Sequence, residues 1–220
     1  MKRVLVATSN PGKIRDLEGA ALAHNVRIET MPGFASLPSV IEDGATFDAN
    51  ARKKAEHYSK YAPGEIVIAD DSGLEVDALG GAPGVRSARY AADEQRPSEH
   101  DALEHAGHSN SDDEANNARL LRDLHEVPDE FRSARFVCVI AAARNGHTLE
   151  TFHGTAEGTV LRAPRGSNGF GYDPLFYFPE IGKTFADLSA EEKAGYSHRG
   201  AAFRAFLEWE DESGERHPQH

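Results

Sequence analysis

A short β-branched run that ends in two adjacent carboxylates constrains this chain more than any other stretch. In IVIADDSG, Ile66, Val67 and Ile68 predict a buried strand. Asp70 and Asp71 fall where that strand is expected to run out, with Ser72 and Gly73 at a turn. Open α/β sheets gather ligands at the carboxyl ends of their strands. Paired aspartates in such a place suit a hard divalent cation such as Mg²⁺, with one carboxylate left to take a proton from water. The same residues also make an ordinary polar turn, because Asp and Ser are frequent there. The choice rests on the other motifs.

The remaining chain bounds the possibilities. Its 220 residues allow one large domain or two small lobes. No apolar run reaches the length of a membrane span. The opening MKRVLVATSN has too short an apolar segment for a secretory signal. Cys138 is the only cysteine, and its apolar neighbours imply a buried thiol in a reducing cytoplasm. A net charge of −12 argues against non-specific binding to nucleic acid. It leaves room for a small phosphorylated substrate held by a few local cations and a metal.

Val4 to Ala7 predicts a strand, followed by Thr8-Ser9-Asn10-Pro11-Gly12-Lys13 and then Ile14, Leu17 and Ala21 at helical spacing. Ser9 or Asn10 caps such a helix, and Pro11 fits its first turn. Free N–H groups at a helix start, with Lys13 beside them, attract anions, although a plain capped helix reads the same way. Val26 to Glu29 predicts a second strand. Thr46 is a cap for a helix whose apolar face is Phe47, Ala51, Ala55 and Tyr58. Asn50 and Lys54 are four apart on a neighbouring face, behind the acidic Glu42. Such a helix holds a metal and a phosphate, or is simply solvated.

Leu74 to Leu79 reads as strand-like, and Gly80 to Gly84 as a loop. Pro97 to Asn117 reads as an exposed helix pair joined by a mobile loop, with the second helix at Ala118 to His125. Phe136 to Ala143 is the strongest strand, and Asn145-Gly146 is a hairpin turn into Thr148 to Gly154, with Ala156 to Leu161 extending the sheet. In PRGSNGFGYDPLFYFP, Phe170 sits between two glycines beside Asp173. An open ring next to a carboxylate suits a nucleobase, as it also suits a core aromatic in a tight turn. Ser189 and Glu192 form a capping-box pattern, and Ser197 caps a final helix that starts with His198 and Arg199. Cations at a helix start oppose its dipole, which hints at another use.

TSNPGK, EDGATFDANARKKA, ADDSGLEVDALGGAPGVRSARYA, GSNGFGYDPLFYFP and SAEEKAGYSHRGAAF, in that order, resemble the inosine triphosphate pyrophosphatase family. The resemblance runs from Val4 to about Leu207. It implies hydrolysis of ITP, dITP and XTP to the monophosphate and pyrophosphate. It implies an elongated mixed α/β fold with a long central sheet flanked by helices. A single catalytic domain over 1–210 would have two lobes and a cleft, followed by a polar tail over 211–220. A homodimer in the cytoplasm, with no nucleic-acid or membrane partner, is also expected.

The resemblance assigns roles as well. Thr8, Ser9, Asn10, Pro11, Gly12 and Lys13, with Lys54, would bind the triphosphate. Glu42, Asp70 and Asp71 would hold Mg²⁺, and Asp71 would accept the proton of the attacking water. Ser72, Phe170, Gly171, Tyr172, Asp173, Lys193, His198 and Arg199 would form the substrate and base pocket. Asp16 stands where the family often has glutamate, a departure expected to matter little, and Gly107 to Asn117 lies between motifs. The competing expectations are a pyrophosphatase for modified pyrimidine nucleotides, one without base selectivity, and a nucleotide-binding protein without turnover.

Overall fold

The apolar runs pair into one seven-stranded sheet of order β2-β1-β3-β4-β5-β6-β7. The computed structural model describes residues 2–94 and 112–216. The strands are β1 (Lys2–Val6), β2 (Val26–Thr30), β3 (Val67–Val76), β4 (Ser133–Arg144), β5 (His147–Val160), β6 (Phe176–Phe178) and β7 (Lys183–Thr184). The helices are α1 (Pro11–Ala21), α2 (Phe47–Ser59), α3 (Tyr90–Glu94), α4 (Asp113–Asp123), α5 (Ala190–Tyr196) and α6 (His198–Arg216). β1 runs parallel to β2 and β3, and every other pairing is antiparallel. This is the mixed α/β sheet flanked by helices that the motifs imply. No described helix is long and apolar enough to cross a membrane.

The central strands β3, β4 and β5 are long, while the strands at either end are short. β1 meets β3 only at Leu5–Val67 and Val6–Ile68. β6 meets β5 only at Tyr177–Thr159 and Phe176–Val160. The Asn145-Gly146 turn has positive φ at both residues, 54° and 85°, which matches the twist of a tight hairpin. β5 is one strand of 14 residues, where the sequence suggests two shorter runs. Pairing with β4 carries it through Gly154 and Thr155.

The paired aspartates are the main correction. They do not sit at the end of β3, and Ser72 and Gly73 make no turn. β4 pairs straight through them, with Asp70 opposite Ile140, Asp71 opposite Val139, Ser72 opposite Cys138 and Gly73 opposite Val137. The strand continues because long-range pairing outweighs local turn preference. Gly73 supplies the room: a Cβ there would strike the Gly84 carbonyl and the Ser87 hydroxyl of the turn that closes over it. The strand that does end at the site is β1. Its last backbone contact is Ala7 N to Ile68 O at 2.8 Å, after which the chain turns into α1. β3 itself stops at Val76, short of the expected Leu79.

Three apolar clusters surround this point. Val4, Val6, Leu17, Ile68, Ile140, Phe152, Phe203 and Phe206 pack on one face, under α1 and α6. Leu5, Phe47, Ala51, Ala55, Val67, Ala69 and Val139 pack on the other, under α2. Leu74, Val76, Leu120, Phe136, Phe176 and Phe185 fill the far end of the sheet. Asp70 to Gly73 belongs to none of them. A polar seam thus crosses β3 where three cores meet.

Two helix boundaries also differ from expectation. α4 starts at Asp113, capped by Asp112 rather than opening near Ala118. The rest of the predicted helix pair, up to residue 111, lies outside the described residues. α6 continues to Arg216, so the polar segment after Asp211 begins as helix. Lys2 reaches Asp211 at 2.7 Å and Glu210 at 3.1 Å, which ties that part of the helix to β1.

Candidate active site

Alternation along β3 sends the two aspartates to opposite faces of the sheet. Asp71 points to α2. Its Oδ2 accepts a hydrogen bond from Asn50 at 3.1 Å, and its Oδ1 lies 3.2 Å from the Lys54 ammonium. Lys54 also reaches Glu42 at 2.7 Å. Asn50 and Lys54 are therefore inward side chains of α2, one turn apart and buried. Thr46 caps the helix by accepting from Ala49 N at 3.1 Å, which fixes where that turn begins. Neighbouring Lys53 faces outward and pairs with Asp43.

Asp70 points to α1 and α6. Its Oδ2 lies 3.1 Å from Lys13 and accepts from Arg199 at 3.2 Å. Arg199 is fully buried. It also donates to Ser72 Oγ and to Asp16 Oδ2, each at 2.7 Å. Asp16 accepts from Lys193 at 3.1 and 3.2 Å, and Lys193 donates to Asp173 at 2.7 Å. A chain of alternating charges thus runs Asp173, Lys193, Asp16, Arg199, Asp70, Lys13. Buried charges persist only when paired and hydrogen-bonded, and each member of this chain is.

The two faces differ electrostatically. Burial pushes the Asp70 carboxyl up, but Lys13, Arg199 and Lys54 outweigh it and hold the group well below the usual carboxylate range. Burial also pushes Asp71 up; Lys54 and Lys13 oppose it, Glu42 reinforces it, and the net shift is upward. Lys54 is lowered by burial and raised further by Asp71, Glu42 and Asp70, so its ammonium stays charged. Burial and the neighbouring Arg199 and Lys193 cations keep His198 neutral, well below its ordinary value.

Asn10 caps α1, as expected. Its side chain accepts from Gly12 N at 2.8 Å and from Lys13 N at 3.1 Å, while Thr8 Oγ1 accepts from Asn10 N at 3.2 Å. The first-turn amides expected to be free for an anion are thus already bonded to the cap, and Pro11 has none. Lys13 is the cation this helix start presents. Gly12 packs against Phe170: a Cβ on Gly12 would fall within the Phe170 ring. That contact joins the first motif to the aromatic loop.

A cavity of about 280 Å³ opens beside the ring, lined by Gly12, Arg15, Asp16, Phe170, Leu188 and Lys193, among others. Phe170 is half-buried and stacks on no other ring among the described residues. The Lys193 ammonium lies 5.1 Å from its centroid. The loop itself is held from below. Phe170 N donates to Asp173 Oδ2 at 3.0 Å, Gly171 N donates to Asp113 at 2.7 Å, and Asn117 donates to the Gly171 carbonyl at 2.9 Å.

The predicted base-pocket residues fall into three groups. Phe170 and Lys193 line the cavity. Tyr172 is buried in the far core, its hydroxyl donating to the Ser87 carbonyl at 2.8 Å. Asp173, His198 and Arg199 lie behind the wall. His198 is stacked on Phe136 at 4.7 Å, and its Nδ1 has no hydrogen-bond partner among the described residues.

Sequence reasoning underrated three residues. Asp16, given no role among the site residues, joins Lys193 to Arg199; its position one turn after Lys13 and one residue before core Leu17 was the available signal. Asp113 and Asn117 grip the Phe170 loop from a helix that follows no motif. Nothing in their local sequence marks that contact.

The residues named for Mg²⁺ are near one another but do not converge. Among the described residues, no three His, Cys, Asp or Glu side chains are placed to hold a metal as they stand. Glu42 and Asp71 meet on Lys54, while Asp70 turns to Lys13 and Arg199. The donor set is all carboxylate oxygen, which is the chemistry a hard divalent cation requires.

Comparison with known proteins agrees with the motifs. The model of the Ham1 family matches residues 4–209. A dITP/XTP pyrophosphatase of Acidobacterium capsulatum is 48% identical over 203 residues, covering 92% of this chain and 95% of the relative. The solved Ham1 protein of Staphylococcus aureus superposes with a TM-score of 0.73 at 40% identity, covering 95% of this chain and all of that one. The HAM1 protein of Coxiella burnetii gives 0.76 at 36%, covering 96% and 100%.

Proposed function

The chain belongs to the Ham1 family, and from that premise we propose that it hydrolyses the noncanonical purine nucleoside triphosphates ITP, dITP and XTP to the monophosphate and pyrophosphate. Its relatives of nearly half-identical sequence carry the name dITP/XTP pyrophosphatase. The observation that carries the reading is the charge chain that connects the wall of a base-sized cavity, at Lys193, to a carboxylate of β3, at Asp70.

Phosphoanhydride hydrolysis needs charge neutralisation, an oriented water and a stabilised leaving group. Lys13 and Lys54 supply cations for the triphosphate, with Thr8 to Gly12 shaping the turn beside it. Glu42, Asp70 and Asp71 would hold Mg²⁺, which when bound neutralises phosphate charge and lowers the pKa of water. Asp71 is suited to accept the proton, because its carboxylate is fixed by Asn50 and Lys54 on the face where Glu42 opens to solvent. Ser72 sits between Asp70 and Arg199 on the substrate side of the seam.

The purine stacks on Phe170, which Gly171 and Asp173 hold in place. Lys193 brings positive charge to the cavity wall, which favours the carbonyl of a 6-oxo purine over the amino group of adenine. Arg199 completes the pocket from behind, through Asp16, and His198 backs it from its stack on Phe136. The reading also includes two lobes with a cleft between them, a homodimer and a cytoplasmic setting.

Pyrophosphate release from equal concentrations of ITP, XTP, dITP, GTP, ATP, CTP and UTP, with and without Mg²⁺, tests this reading. Fast, metal-dependent release from the first three alone is expected. Equal rates on all seven would remove the base selection, and no release from any would leave a nucleotide-binding protein.

A further inference from the structure

We propose that Lys54 is a tethered cation that stands in for the divalent metal between Glu42 and Asp71, and that it yields this place only when a nucleotide's phosphates arrive. The ammonium bridges the two carboxylates at 2.7 and 3.2 Å. Its side chain is 9% exposed, against 43% for the adjacent Lys53. Lysines commonly bury only the stem and keep the ammonium in water. Lys54 instead spends its charge on the residues the metal needs.

Charge balance explains why the exchange requires the nucleotide. Each carboxylate that would hold the ion is already ion-paired, Glu42 and Asp71 with Lys54 and Asp70 with Lys13 and Arg199. A divalent ion entering alone must push an ammonium off two carboxylates and leave both cations in a poorly solvated place, which is costly. A triphosphate entering with the metal gives the displaced ammonium a new anionic partner. Metal and nucleotide therefore bind with positive coupling, and each raises the affinity for the other equally. The inference rests on the nucleotide-hydrolase reading for the identity of the second ligand, but not for the behaviour of the metal alone.

Mn²⁺ binding, followed by the electron paramagnetic resonance of the free ion, tests it without turnover. The full chain is titrated alone and with an ITP analogue whose α–β bridge is a methylene group, beside the variant Lys54→Met. After the Mn²⁺ held by the analogue alone, titrated without protein, is subtracted, the wild type is expected to bind Mn²⁺ about tenfold more weakly alone than with the analogue. Lys54→Met is expected to bind Mn²⁺ alone about tenfold more tightly than the wild type. Lys54→Gln takes its place if the methionine variant does not fold.

Tight Mn²⁺ binding by the wild type alone, or no gain on removing the ammonium, overturns the proposal. Weak binding by the wild type under both conditions, with a gain in the variant, upholds the role of Lys54 and places the failure on the choice of nucleotide.

Discussion

The two faces of β3 at the seam are built differently. On the α1 and α6 side, Asp70 joins a run of ion pairs in which Asp16, Asp173, Lys193 and Arg199 are all nearly sealed from solvent. On the α2 side, Asp71 and Glu42 share one lysine, and the Glu42 side chain is 39% exposed. The first arrangement has no spare partner and resists rearrangement. The second holds its carboxylates through a flexible ammonium, with one end open to water. One face is suited to hold a base pocket in shape, and the other to exchange ligands and protons. Lys13 and Lys54 each act on both aspartates, so the faces meet at the strand while their outer members, Phe170 and Glu42, can be altered separately.

The largest break is at Asp71. Asp71→Asn keeps the Asn50 and Lys54 neighbours and should fold, yet lose about 10²–10⁴-fold in turnover, as expected for a general base; steady-state pyrophosphate release measures it. The same residue should set the acid limb of the rate. The ionised form is the active one, so activity falls as acid protonates the carboxyl. Loss of that limb in Asp71→Asn checks the assignment.

On the other face, Asp16→Ala leaves Lys193 and Arg199 each short of a buried partner. Breaking a buried pair in this way costs about 3–5 kcal/mol, which denaturant unfolding will register. Asp70 gives the same face a pH signature. Its folded pKa is depressed, so its stabilisation is present in full above the unfolded value of about 3.9 and is lost as pH falls toward the folded one. Thermal unfolding of Asp70→Asn against the wild type between pH 3 and 7 should show the variant with the flatter dependence.

Phe170→Ala should act more mildly, raising KM for purine triphosphates about 5- to 150-fold with kcat little changed, since stacking on an aromatic contributes about 1–3 kcal/mol. The smallest effect is at Cys138. Burial, with Asp70 nearby, pushes its thiol up to about 12, and it is fully covered. It should stay unreactive to thiol reagents in the native protein and react only on unfolding.

This contrast was only half legible in the sequence. The caps at Asn10, Thr46 and Ser189 were readable because capping is local, and each is where its residue type placed it. The strand FVCVIAAA and its Asn-Gly turn were readable for the same reason. The position of Asp70 and Asp71 within β3 was not, because local turn chemistry in DSG gives way to pairing with β4, some 70 residues away. The sealed face was hidden for the same cause. Asp16, Lys193 and Arg199 lie on three different helices, and only the packing of α1 against α5 and α6 brings them together. Motif resemblance supplied Lys193 and Arg199 but not Asp16, whose role is to join them.

The most direct test of the division measures kcat and KM for ITP and for ATP in the wild type, Asp71→Asn and Phe170→Ala side by side. The account predicts that Asp71→Asn lowers kcat on both nucleotides and leaves their ratio of kcat/KM near the wild-type value. Phe170→Ala should raise KM and spare kcat on ITP. If instead both variants shift the same parameter by similar factors, the two faces of β3 act as one unit and the division is wrong.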